Sequence, residues 1–209
     1  MLSPDHKNNA VNGILSQASI LMQKSRFSEA VDTLEEGALI DPDNCDIWQQ
    51  IAVCNLELKR PKKALEAFEN IVRIRPCSEE AWAEKGYLHL LLNESDEGIE
   101  ALQESLRIRP KRSRDWEILA LALIAHDRWE EAKHSFERAI SLNPNSAVAW
   151  YNLAVCNLLD ESYDEALQAA ETAFAIDPGL QPLADEWIDL LRRDQLFELS
   201  IFDEYPAAG

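Results

Sequence analysis

Apolar and polar residues alternate along this chain with a helical beat. Trp116, Leu119, Ala120 and Leu123 step by three or four residues, which places them on one face of a helix. His126-Asp127-Arg128 then interrupts the pattern. Trp129, Ala132, Phe136, Ala139 and Ile140 resume it in a second helix. Leu142-Asn143-Pro144 closes that helix, because proline drives the residue before it out of the helical region. Ser146 is placed to cap the next helix. The predicted element is a helical hairpin. Alone it cannot bury its apolar faces; stacked on copies of itself it can.

The hairpin recurs. Pro42, Pro76, Pro110, Pro144 and Pro178 are spaced by 34 residues, and so are Trp48, Trp82, Trp116 and Trp150. Ala30, Ala64, Ala132 and Ala166 keep the same register, with Gly98 in the remaining place. The pentapeptide AVCNL occurs at 52–56 and again at 154–158, an offset of three periods. A fixed period of this size marks a repeat protein.

These residues resemble the tetratricopeptide repeat pattern W-x2-L-G-x2-Y…A-x3-F…P. The resemblance covers about 170 of 209 residues. It divides the chain into units 11–44, 45–78, 79–112, 113–146 and 147–180, after an N-terminal extension over 1–10. The first unit is the weakest, with Ile14 in the tryptophan place. Lys85 replaces the usual leucine, and Asn55, His89 and Asn157 stand where tyrosine is usual. After Leu180 the period decays. Leu183, Trp187, Leu190 and Leu191 predict a capping helix over 181–199, followed by a tail over 200–209. The expected fold is all-α: five helix-turn-helix repeats and a cap. The resemblance implies that they form a right-handed superhelical solenoid.

The regular tryptophans, alanines and prolines are expected to be structural. Small residues such as Ala64 and Ala132 let paired helices approach, and the tryptophans fill space between hairpins. Cys54 and Cys156 share one repeat position among apolar neighbours and read as small buried hydrophobes. Function is expected where the pattern leaves residues free. The resemblance implies that the first helix of each unit lines a concave groove through its second, fifth, ninth and twelfth positions. The ninth holds Ser19, Val53, Tyr87, Leu121 and Val155; the twelfth holds Met22, Leu56, Leu90, Ile124 and Leu158. With Tyr151 and Val148 these form an apolar stripe. The predicted partner-binding residues are Val53, Leu56, Tyr87, Leu90, Leu121, Ile124, Tyr151, Val155 and Leu158. Such a stripe either packs adjacent helices or accepts an amphipathic helix or extended apolar segment. Some family members hold a C-terminal carboxylate with inward Lys, Arg and Asn; no matching cluster occupies these positions.

Composition narrows the choice. Lys and Arg number 20 against 38 Asp and Glu, a formal charge of −18. That argues against nucleic acid and anionic membrane surfaces as partners. It favours basic flanks on whatever segment binds. The charge is uneven. Residues 147–180 carry six acidic residues and no Lys or Arg, whereas Lys59, Arg60, Lys62 and Lys63 form a basic edge in the second unit. The longest apolar run, Ile118–Ala125, is eight residues, far below the roughly 20 that cross a bilayer. The N-terminus, with Asp5 and no cationic start, does not read as a secretory signal. Cys45, Cys54, Cys77 and Cys156 show no metal-ligand spacing, so a cytoplasmic protein with reduced thiols is expected. His6, His89, His126 and His134 are scattered, and no nucleophile–base pair or phosphate loop is present. The expectation is a non-catalytic adaptor or chaperone-like module without cofactor or metal. The alternative is a homo-oligomeric scaffold using the same groove, filled by a neighbour's N-terminus or by Leu196–Phe202 of its own or another copy.

Overall fold

In the computed structural model the described residues are 4–184, Ile188 and Asp189. Among them the chain forms ten α-helices: α1 (Pro4–Gln23), α2 (Phe27–Ile40), α3 (Cys45–Glu57), α4 (Pro61–Ile74), α5 (Glu79–Leu91), α6 (Ser95–Ile108), α7 (Ser113–Ile124), α8 (Trp129–Leu142), α9 (Ala147–Leu159) and α10 (Tyr163–Ile176). A 3₁₀ turn follows at Pro178–Leu183. The expected cap over 181–199 therefore begins in that turn. Beyond Ala184 it lies outside the described residues, apart from buried Ile188 and exposed Asp189, as does the tail.

The chain divides into two compact units, Met1–Lys111 and Arg112–Gly209. In the first, α1 pairs with α2, α3 with α4 and α5 with α6, while α2 packs on α3 and α4 on α5. Its core joins Leu34, Ile47, Ile51, Leu65, Phe68 and Leu88, all buried. In the second, α7 pairs with α8 and α9 with α10, α8 packs on α9, and the 3₁₀ turn lies against α10. Phe136 and Leu123 fill its centre, surrounded by buried alanines.

The repeated residues have local causes. Ala30, Ala64, Ala132 and Ala166 are wholly buried, so the hairpins close on side chains of minimal size. Trp48, Trp82 and Trp150 are half-buried, and each indole N–H donates to the carbonyl of the proline six residues earlier, at 2.8–2.9 Å. That bond ties each inter-hairpin loop to the helix it introduces and explains why tryptophan and proline share one register. Asn44, Ser78 and Ser146 cap α3, α5 and α9 by accepting backbone N–H bonds.

Candidate functional site

The nine residues expected to bind a partner lie on the first helices of their hairpins, where none is buried. Leu56 on α3 is 38% exposed and Leu121 on α7 is 44% exposed. Val53, Tyr87, Leu90, Ile124, Tyr151, Val155 and Leu158 are half-buried. The same helices bury a different set, including Ile51, Ala52, Cys54, Leu119, Ala120, Leu123, Leu153 and Ala154. The first unit thus presents two partly exposed apolar faces, on α3 and α5. The second presents two more, on α7 and α9.

Leu90 and Tyr151 have intramolecular work. A Cβ built on Gly98 would meet Leu90 Cδ2 at 2.7 Å, so Leu90 packs into the gap that Gly98 leaves in α6. The Tyr151 hydroxyl donates to the carbonyl of Leu183 at 3.3 Å and holds the 3₁₀ turn against α9. Val148, expected to extend the face, is 48% exposed.

The thiols behave as their positions suggest. Cys54 and Cys156 are buried, and burial pushes the Cys54 thiol up and that of Cys156 up to about 11. At neutral pH both are protonated and poor nucleophiles. Cys77 is exposed. His126 and His134 are exposed, and His89 is buried with Nδ1 2.8 Å from Glu94 Oε2. Among the described residues no three His, Cys, Asp or Glu side chains converge as metal ligands. No described helix is long and apolar enough to cross a membrane.

A feature that the repeat pattern does not announce is a pair of open clefts in one register. One lies between α2, α3 and α4, with a volume of about 560 Å³. The other lies between α8, α9 and α10, at about 430 Å³. Trp48, Ile51 and Asn55 line the first; Trp150, Leu153 and Asn157, each 102 positions on, line the second. Asn55 and Asn157 stand out in the sequence only as departures from tyrosine. The duplicated pentapeptide that contains them was the available signal.

The paired helices, short hairpin turns and 34-residue register define a helical-repeat protein. The tetratricopeptide repeat model matches residues 56–113 and 119–180, more than half of the chain. The chain belongs to the tetratricopeptide repeat family. No curated protein matches the sequence. Solved structures of this fold do. MamA matches with a TM-score of 0.74 at 18% identity, over 84% of this chain and 96% of that one. MamA 41-end from Desulfovibrio magneticus RS-1 gives 0.69 at 16% identity, over 81% and 96%. YrrB, described as a TPR protein with an unusual peptide-binding site, gives 0.69 at 18% identity, over 79% and 85%. At these identities the likeness establishes the fold.

Proposed function

We propose that the protein is a non-catalytic interaction module whose exposed apolar helix faces take a helical or extended apolar segment of a partner protein. One observation carries this reading. On α3, α5, α7 and α9, nine apolar residues at repeat positions nine and twelve, and at Tyr151, retain solvent exposure while their neighbours are buried. Within each unit, partly exposed apolar side chains on neighbouring first helices offer a contact surface. The peptide-binding site named for YrrB supports the same class of function. The formal charge of −18 favours basic flanks on the bound segment.

The decisive variant is Leu56→Glu/Leu121→Glu, since both side chains are exposed and neither substitution opens the core. Leu90 is a poorer choice because it packs on Gly98. Proteins retained from a lysate by the wild type, and lost from a variant of equal helicity, support the reading. Identical retained sets overturn it. Mass measured across concentration separates the scaffold alternative: there the wild type associates with itself, and the variant dissociates while still folded.

A further inference from the structure

The two clefts between successive hairpins form a second kind of site, separate from the apolar faces. None of the nine residues on those faces lines either cleft. At the first cleft Asn55 is 1% exposed. Its Nδ2 donates to the Ile51 carbonyl at 2.9 Å, while its Oδ1 is buried with no hydrogen-bond partner among the described residues. At the second, Asn157 is 5% exposed and its Oδ1 is likewise unpartnered. A buried acceptor left unmade is costly, so each amide offers a position for a donor. Donors are N–H or O–H groups.

The walls narrow the donor further. Trp48 and Trp150 line the clefts, and their indole N–H groups are committed to Pro42 and Pro144. The rings are therefore held in place. Glu35, Glu66 and Lys63 line the first cleft. Glu137 and Glu165 face the second with Lys133, which is already paired to Asp160 at 2.9 Å. Each lining has two carboxylates to one cation. An indole face, a carboxylate and a neutral acceptor together suit a cation that carries several donors.

In the two hairpins that lack the asparagine, a cation of the chain already lies near the ring. In the hairpin that carries His89 at this register, Lys85 Nζ lies 5.2 Å from the centre of the Trp82 ring. In the hairpin that carries Leu123, Arg138 lies 6.0 Å from the centre of the Trp116 ring. Among the described residues no cation covers Trp48 or Trp150, and there the clefts are open.

We propose that the Glu35–Trp48–Asn55 and Glu137–Trp150–Asn157 clefts each bind an arginine side chain of a partner protein. The guanidinium stacks on the indole, pairs with the glutamate at the rim and donates to Asn Oδ1. Arginine fits better than lysine because its planar fork reaches a ring face and two acceptors at once.

The test uses the full chain and a blocked pentapeptide, acetyl-Ala-Ala-Arg-Ala-Ala-amide, with a norleucine version as control. Side-chain amide signals of Asn55 and Asn157 and indole signals of Trp48 and Trp150 are followed by NMR. The arginine peptide is expected to shift all four, with half-saturation about 1 mM for a single-side-chain ligand. The norleucine peptide shifts none. The Asn55→Leu/Asn157→Leu variant, folded because Leu21 and Leu123 occupy the same register, is expected to weaken binding at least about tenfold. Glu35→Gln/Glu137→Gln weakens it several-fold and reduces its sensitivity to salt. Signals unmoved by ~20 mM arginine peptide, equal shifts with norleucine, or undiminished binding by the equally helical leucine variant overturn the proposal. Tighter binding of free L-arginine than of the peptide overturns the assignment to a protein partner.

Discussion

Five residues at one register close the hairpin turns in the left-handed region: Ser25, Lys59, Asn93, Asp127 and Glu161, with φ between 55° and 61°. The next N–H in each turn donates to a carbonyl five residues back, as Arg60 does to Asn55 at 2.8 Å and Ser162 to Asn157 at 2.9 Å. This is the Schellman arrangement, usually closed by glycine. A side chain here costs about 1 kcal/mol. Lys59→Gly and Glu161→Gly are each expected to stabilise the protein by about 0.5–1 kcal/mol, read from the denaturant midpoint. Asn55→Leu is expected to stabilise by about 1–3 kcal/mol, because it removes an unmet buried acceptor. Cys156 makes stability fall in alkali. Its folded value near 11 lies above the ordinary 9, so the protonated thiol is favoured by folding. That contribution is full below pH 9 and is lost as pH rises from about 9 toward 11. Urea unfolding at both ends of that window should show the loss in the wild type and a flatter slope in Cys156→Ala.

Pairing of α5 with α6 depends on two glycines facing each other. A Cβ on Gly86 would meet Leu102 Cγ at 2.8 Å and the Gly98 carbonyl at 3.1 Å. One on Gly98 would meet Leu90 Cγ at 2.8 Å and the Gly86 carbonyl at 3.2 Å. Alanine gains about 1 kcal/mol in helix propensity, but overpacking against backbone costs roughly 1–3 kcal/mol. Gly98→Ala should therefore destabilise by about 1 kcal/mol net. In a Leu90→Ala background the cost should vanish or reverse, since the alanine then fills the space that Leu90 vacates. A double-mutant cycle by chemical denaturation measures that coupling. The other hairpins use Ala30, Ala64, Ala132 and Ala166, all fully buried, at the place of Gly98. The α5–α6 hairpin is the one that admits a leucine there instead.

At the scale of the whole molecule, charge governs encounter more than fold. Net charge of −18 spreads a negative field, which would draw in the basic flanks proposed for the partner. Association of the proposed partner should slow by about tenfold or more between ~20 mM and ~500 mM salt, as the screening length shrinks below 10 Å. Stopped-flow binding across that range reads the effect, and an unchanged on-rate removes the role assigned to charge. Exposed ion pairs such as Arg73–Asp43 and Arg109–Glu79 add little to stability, because solvent screens them.

The 34-residue register determined the helical hairpins, their order and the small residues between them. Each of those depends on local spacing and on one residue's size, both of which are written in the chain. It also placed the nine apolar residues on the first helices, while their selection as groove-facing came from the resemblance to the tetratricopeptide repeat. Burial was decided only when hairpins met. Asn55 and Asn157 share a pentapeptide yet read as simple departures from tyrosine, because only the packing of three helices decides whether a buried acceptor meets a donor. Leu90 read as groove surface, and the gap at Gly98 gives that half-buried side chain a packing contact as well. Trp48, Trp82, Trp116 and Trp150 read as equivalent, and tertiary structure separated them: Lys85 and Arg138 reach two of the rings, while two remain walls of open clefts. Periodicity specifies which side of a helix turns inward; only the neighbouring hairpin decides what meets it there.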